Sequence, residues 1–225
     1  MTEVPEANGR GDLPARSGSA VRAAILAAAD AIEAAREPLC ALDATTGDGD
    51  HGMTMTIGAR GVRRQLERVP DGDAVALVRA AASGMGSAGG AIGPIYGRGL
   101  LAVADAIASG SDAAAEAVAV ARRAAEGAAA AVIALGGAKP GDKTILDALV
   151  PYAEALASAE TRGLGWSKAA SEAAAAARAG AEATASMEAR IGRSSRFGER
   201  SVGTADPGAT SFAIIVEAIA RSIDG

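Results

Sequence analysis

The stretch SAVRAAILAAADAIEAAR, residues 19–36, repeats apolar side chains at intervals of three and four. Val21, Ile25, Ala28 and Ile32 therefore share one helix face, and Pro38 follows the predicted end of the helix. Similar segments, separated by clusters of Gly, Pro, Ser or Asp, lie at 52–68, 73–88, 94–109, 112–134, 143–159, 166–190 and 207–223. No stretch alternates β-branched with polar residues, so the sequence predicts an all-α fold of about eight helices.

The composition favours close packing of these helices. Hydrophobic residues make up 49% of the 225 residues but aromatic residues only 2%, so alanine supplies much of the apolar surface. Alanine is the best helix former and lets helix axes approach each other. Short connections favour antiparallel neighbours. We expect one domain over residues 19–225, preceded by a flexible tail at 1–18.

Charge and cysteine content exclude several classes of function. The net charge is −5 and no basic run is dense enough to follow a phosphate backbone, so nucleic acid is an unlikely partner. No apolar run approaches the roughly 20 residues of a membrane span, and no N-terminal signal is visible, which makes a cytoplasmic location the expectation. A single cysteine, Cys40, and a single histidine, His51, exclude an internal disulfide and disfavour zinc.

The segment LDATTGDGDHG, residues 42–52, crowds three aspartates around glycines. Asp43, Asp48 and Asp50 cannot share a helix face, but a turn would let them converge, and converging carboxylates need a cation. Oxygen ligands suit Mg²⁺, Ca²⁺ or Mn²⁺. An EF-hand register from Asp48 fails at Gly52 and Ala59, which favours Mg²⁺ completed by substrate phosphates. A solvated turn with helix caps is the alternative.

Two glycine-rich segments offer phosphate-binding chemistry. The segment GGAKPGDKT, residues 136–144, is close to a P-loop, but Asp142 stands between Gly141 and Lys143 and no strand precedes it. A glycine-rich loop before a helix still presents free N–H groups and a dipole that favour an anion. MGSAGGAIGPIYGRG, residues 85–99, has the same character. Lys143, taken alone, would be an ordinary surface charge.

Four segments together resemble a known family. LDATTGDGDHG, GGAIGPIYG, KPGDKTILDAL and GRSSRFGERSVGTADPGATS occur in the order and spacing of the nucleotide-binding subunit of dihydroxyacetone kinases, the DhaL or DAK2 domain family. The resemblance covers residues 20–223. It implies an up-and-down barrel of eight antiparallel helices that binds ADP or ATP at one end through two Mg²⁺ ions.

The resemblance also implies the site residues. Asp43, Asp48 and Asp50 would be the Mg²⁺ ligands and the catalytic carboxylates. The nucleotide would be lined by His51, Gly52, Met53, Thr54, Ala91, Ile92, Gly136, Ile145, Arg193, Asp206, Pro207 and Gly208. Three positions depart from the family: Thr54 stands for Asn, Ile92 often for Ser, and Ile145 commonly for Met. The change at Ile92 removes a hydroxyl donor from a phosphate loop, so backbone N–H groups would have to replace it.

The function implied is that of a kinase subunit of glycerol metabolism. It would transfer phosphate to dihydroxyacetone or a related short ketose, held on a separate DhaK-like partner. The donor stays open between exchangeable ATP and a bound ADP that a phosphotransferase-system protein rephosphorylates. Two alternatives remain: an ATP-dependent tetrulose (erythrulose) kinase subunit, and an ADP-bound regulatory module that docks on a transcription factor. A homodimer is also left open.

Overall fold

The computed structural model describes residues 17–110 and 116–223, and within these ranges the chain contains α-helices, short 3₁₀ segments and no strand. The α-helices are α1 (Gly18–Ala34), α2 (Arg36–Asp43), α3 (His51–Leu66), α4 (Ala74–Gly86), α5 (Ile92–Ser109), α6 (Ala117–Gly136), α7 (Leu146–Thr161), α8 (Trp166–Ala183) and α9 (Pro207–Ile223). The 3₁₀ segments are Thr184–Ser186 and Arg193–Ser201. The predicted all-α class is confirmed.

Two predicted segments fall partly outside the described residues. These are residues 1–16 of the tail expected at 1–18, and the beginning of the helix expected at 112–134. The last two residues of the expected tail start α1 instead. Ser17 accepts a hydrogen bond from the Ala20 N–H at 3.2 Å, which caps the helix, and Gly18 is its first residue.

The structure contains one helix that the sequence did not predict, and one predicted helix is shorter than expected. A second helix, α2, begins at Arg36, directly after α1, and contains Pro38 in its first turn. Proline is tolerated there because the N–H it lacks would have no partner inside the helix. The helix predicted over 166–190 ends at Ala183 and is followed by the 3₁₀ turn Thr184–Ser186.

Eight of the helices pack in a closed ring. Contacts run from α1 to α3 and then in chain order to α9, which returns to α1. The short helix α2 packs against α3, α9 and α1. This closed circuit agrees with the barrel of eight helices that the resemblance implies.

Small side chains dominate the contacts inside the ring. The buried face of α8 consists of alanines only, namely Ala169, Ala170, Ala173, Ala174, Ala177 and Ala181. Larger side chains such as Leu146 and Leu156 of α7 are fully buried. Side chains from all eight ring helices line an apolar cavity of about 390 Å³, because alanines and few aromatic residues do not fill the interior. In the described ranges, no helix has the length and apolar character needed to cross a membrane.

Candidate functional site

The acidic turn lies between the end of α2 and the start of α3. Asp43, the last residue of α2, is buried, and its Oδ2 accepts hydrogen bonds from the N–H groups of Asp50 at 3.0 Å and His51 at 3.3 Å. A Cβ at Gly47 would lie 2.2 Å from Asp43 Oδ1, and one at Gly52 would lie 2.0 Å from the carbonyl oxygen of Arg36. The glycines therefore allow a carboxylate and a neighbouring helix to approach the backbone closely.

The turn brings the three predicted carboxylates together. One oxygen each from Asp43, Asp48 and Asp50 lies within 4.8 Å of the other two. Burial, followed by the hydrogen bond and the negative charge of Asp48, raises the pKa of Asp50. The contribution of the Asp48 charge to this rise reflects repulsion between the two carboxylates, which a divalent cation would relieve. The donor set contains only oxygen and fits Mg²⁺.

Arg193 stands against this acidic cluster from the other end of the chain. It is the first residue of the 3₁₀ segment Arg193–Ser201, and its guanidinium donates to Asp48 and, at 3.5 Å, to Asp50. A second hydrogen bond, from Ser194 Oγ to Thr46 Oγ1 at 3.3 Å, joins the same two segments. The structure thus places Arg193 beside two of the three carboxylates.

Four helices begin near this cluster. His51 starts α3, and its Nε2 lies 3.1 Å from Ser211 Oγ in the second turn of α9. Tyr96, near the start of α5, has its hydroxyl 3.0 Å from the same Oγ. A Cβ at Gly208 would lie 3.8 Å from the Cβ of Ile145, which directly precedes α7. Because α3, α5, α7 and α9 alternate around the ring, neighbouring helices run antiparallel.

This convergence has an electrostatic consequence. Each helix start carries N–H groups without a helical partner and the positive end of the helix dipole. Four starts at one end of the barrel therefore favour an anion there, while the carboxylates of the acidic turn favour a cation. The two preferences can be met together by a metal ion bound to phosphate groups.

Asp206 caps the start of α9. Asp206 Oδ2 accepts a hydrogen bond from the Ala209 N–H at 2.7 Å, and Pro207 is the first residue of the helix. The N–H of Asp206 donates to Thr184 Oγ1 at 2.7 Å, which fixes the loop before the helix. Burial raises the pKa of Asp206 to about 7, and the Ala209 N–H partly offsets this effect.

Lys143 differs from the expected surface charge, because its side chain is buried. Its Nζ donates to the carbonyl oxygens of Met187 at 3.1 Å, Thr204 at 2.6 Å and Ser201. Lys143 thereby holds the segment that carries Arg193. Its three ammonium protons are engaged by backbone carbonyls, which agrees with the rejection of a P-loop for this segment.

The remaining predicted residues occupy the starts of α3 and α5 and the end of α6. Met53 is 46% exposed in the first turn of α3, where Thr54 is half-buried. Ala91 precedes α5, and Ile92 is its first residue and packs against the core beside α3 and α4. Gly136 ends α6, and a Cβ at this position would meet nothing within 4 Å. Within the described ranges, no hydrogen bond or ion pair joins Gly136 to the acidic cluster.

The structural roles of three residues at this end were not predicted from the sequence: Tyr96, Lys143 and Ser211. A serine or tyrosine within a helix carries no local signal that separates it from an ordinary packing residue. The contacts of these residues join positions that are distant in the chain, so they become visible only in the folded structure.

Comparisons with known proteins identify the family of this chain. The family model described as DAK2 domain matches residues 45–221, which include Asp48, Asp50 and Arg193 and begin just after Asp43. The chain is similar to the ADP-binding subunit DhaL of the PEP-dependent dihydroxyacetone kinase of Escherichia coli, with 36% identity over 82% of this chain and 87% of that protein.

Larger kinases are similar over part of their length. The L-erythrulose 1-kinase of Mycolicibacterium smegmatis is 39% identical over 81% of this chain and 32% of its own length. The chain thus spans about a third of that relative. The crystal structure of the dihydroxyacetone kinase from C. freundii in complex with AMP-PNP and Mg²⁺ matches with a TM-score of 0.68 and 25% identity, over 99% of this chain and 37% of that one.

Proposed function

Because the chain belongs to the DAK2 domain family, we propose that it is the nucleotide-binding part of a ketose kinase. It binds ADP or ATP with two Mg²⁺ ions and transfers phosphate to dihydroxyacetone or a related short ketose on a DhaK-like partner. The supporting observation is the meeting of three aspartates and Arg193 at the end of the barrel where α3, α5, α7 and α9 begin.

The three aspartates have different tasks in this proposal. Asp43 is buried and oriented by two backbone N–H groups, so it is a fixed ligand for the metal. Asp48 and Asp50 are more exposed and complete the oxygen donor set. Bound Mg²⁺ would neutralise phosphate charge and align the phosphoryl group that is transferred.

Cationic and backbone groups complete the site. Arg193 neutralises phosphate oxygens next to the carboxylates. The free N–H groups at the starts of α5 and α9 hold further phosphate oxygens, which replaces the hydroxyl that Ile92 does not supply. Asp206, Pro207 and Gly208 shape the start of α9. The residue that activates the ketose hydroxyl belongs to the partner.

Nucleotide binding by the purified protein tests this proposal. We expect calorimetry to show ADP binding with Mg²⁺ and loss of that binding with excess chelator. Asp48→Asn and Asp50→Asn should each weaken binding roughly 10-fold or more, because each removes a metal ligand. Asp105→Asn is the matched control, since Asp105 is also an exposed carboxylate paired with an arginine, Arg79. Equal ADP affinity with and without Mg²⁺ would refute the metal site.

The phosphate donor requires a separate assay. The protein and a DhaK-like partner are incubated with ketose and ATP alone, and then with phosphoenolpyruvate and a phosphotransferase-system carrier. Product from ATP alone would identify exchangeable ATP as the donor. Product only with the carrier would identify a bound ADP that is rephosphorylated in place.

A second candidate function has a different ketose as the phosphate acceptor. The 39% identity to an L-erythrulose 1-kinase supports an ATP-dependent kinase that acts on a tetrulose. Comparing kcat/KM for erythrulose and dihydroxyacetone with the same partner decides between the two acceptors. A preference of less than about 3-fold would leave neither sugar as the specific substrate.

A further inference from the structure

The hydroxyl of Ser211 in α9 is buried against residues of α3 and α5. Ser211 is neither one of the proposed metal ligands nor one of the residues that cap the helices. Ser211 is fully buried, and its Oγ has three polar neighbours: the carbonyl oxygen of Gly208 at 3.0 Å, Tyr96 Oη at 3.0 Å and His51 Nε2 at 3.1 Å. His51 is at the start of α3, Tyr96 is near the start of α5, and Gly208 is in the first turn of α9, the helix that carries Ser211.

Counting protons assigns the direction of each hydrogen bond. A serine hydroxyl has one proton and two acceptor positions, and a carbonyl oxygen can only accept. The proton of Ser211 therefore goes to Gly208, and both His51 and Tyr96 must donate to Ser211. Burial raises the pKa of the Tyr96 hydroxyl, so that group keeps its proton. His51 carries a proton on Nε2, so in its neutral form Nδ1 is the nitrogen that can accept a hydrogen bond.

The cluster also joins three helix starts. His51 is the first residue of α3, Tyr96 is the fifth of α5 and Ser211 is the fifth of α9. A shift of one helix relative to the others would break at least one of these short contacts. Leaving a buried donor without an acceptor is costly, so the three starts are held at fixed distances.

We propose that Ser211 fixes His51 as the Nε2–H donor, and that Ser211 and Tyr96 together are positioning residues that hold the starts of α3, α5 and α9 in register for a Mg²⁺-bound nucleotide. The part concerning the nucleotide rests on the proposed function. The part concerning the ring of His51 does not, since it follows from hydrogen bonding alone.

Five substitutions provide the test. Ser211→Ala removes the shared acceptor, and Tyr96→Phe removes one donor. Ser222→Ala is the matched serine control, because Ser222 lies on the same helix and donates to a carbonyl three residues earlier, that of Ile219, at 2.7 Å. Tyr152→Phe is the matched tyrosine control, because Tyr152 is partly buried and its ring contacts Phe212 edge-on. Ser211→Thr retains the hydroxyl and serves as a rescue variant.

The first measurement is nitrogen NMR of the imidazole ring, with chelator present. Since His51 is the only histidine in the chain, the ring signals need no assignment. In the wild type, Tyr96→Phe and both controls, the proton should be on Nε2. In Ser211→Ala, a mixture with the Nδ1–H form should appear. An unchanged ring in a folded Ser211→Ala protein, or an Nδ1–H form in the wild type, would overturn the assignment.

The second measurement is the Kd for ADP with Mg²⁺. Ser211→Ala and Tyr96→Phe should raise it roughly 10-fold, Ser211→Thr should restore much of the loss, and the controls should stay within about 2-fold of the wild type. Wild-type affinity in a folded Ser211→Ala protein would refute the positioning role. Absence of ADP binding by the wild type would instead refute the proposed function, and the NMR result would still decide the assignment of His51.

Discussion

His51 should make the protein sensitive to acid, and its burial sets the size of the effect. The side chain is 8% exposed, and burial lowers its pKa from 6.5 to about 4, although the charge of Asp43 opposes the shift. Between these values the unfolded chain binds a proton that the folded chain does not, so the free energy of unfolding decreases as pH falls. The full difference in pKa between the unfolded and the folded state corresponds to about 3 kcal/mol in the free energy of unfolding. About 2 kcal/mol of this stability is lost between pH 7 and pH 4.5.

The substitution His51→Gln isolates this contribution. Glutamine cannot take up a proton in this range, while its amide can still donate to Ser211. Urea unfolding of the wild type and the variant is measured at pH 7 and pH 4.5 with chelator present. Other titrating groups affect both proteins alike, so the wild type should lose about 2 kcal/mol more than the variant.

An NMR titration of the single histidine gives an independent measurement of the pKa of His51. The ring protons of the folded protein should titrate with a midpoint near pH 4. A midpoint near 6.5 would show that the imidazole is solvated and would refute the argument from burial. An equal loss of stability in the wild type and in His51→Gln would refute it as well.

Three further experiments test other contacts. Gly47→Ala places a Cβ 2.2 Å from the Asp43 carboxylate, so calorimetry should show Mg²⁺-dependent ADP binding weakened roughly 10-fold. Lys143→Met leaves three backbone carbonyls without their donor and should lower the urea-derived stability by about 2–3 kcal/mol, and a loss below about 0.5 kcal/mol would contradict its anchoring role. The bidentate pair Arg178–Glu217 joins α8 to α9, and a double-mutant cycle should give about 0.5–1 kcal/mol of coupling that declines at high salt.

Helical periodicity was sufficient to predict the fold class, because long amphipathic segments leave a strong signal. It was not sufficient for α2, which has eight residues and a proline in its first turn. A short helix owes its stability to tertiary packing more than to propensity. Here Leu39 is buried in the same cluster as Met55 of α3, a contact that the local sequence does not reveal.

The candidate site, like the fold, could be predicted from the sequence only in part. The spacing of Asp43, Asp48 and Asp50 was sufficient to predict that they converge, because the intervening glycines allow a turn. The roles of Ser211 and Lys143 could not be predicted, because they depend on partners far away in the chain. Ser211 contacts His51 across 160 positions, and Lys143 contacts Thr204 across 61.

The charges at this end of the barrel explain why a metal and a nucleotide would bind together. A free nucleotide would bring its phosphates towards Asp43, Asp48 and Asp50, which repel them. A divalent cation alone would meet Arg193 and the positive ends of four helices, which oppose it. A Mg²⁺-bound nucleotide would present its cation to the carboxylates and its phosphates to Arg193 and the helix starts. Each component thus removes the repulsion that opposes the other, and thermodynamic linkage requires the gain in affinity to be equal for both.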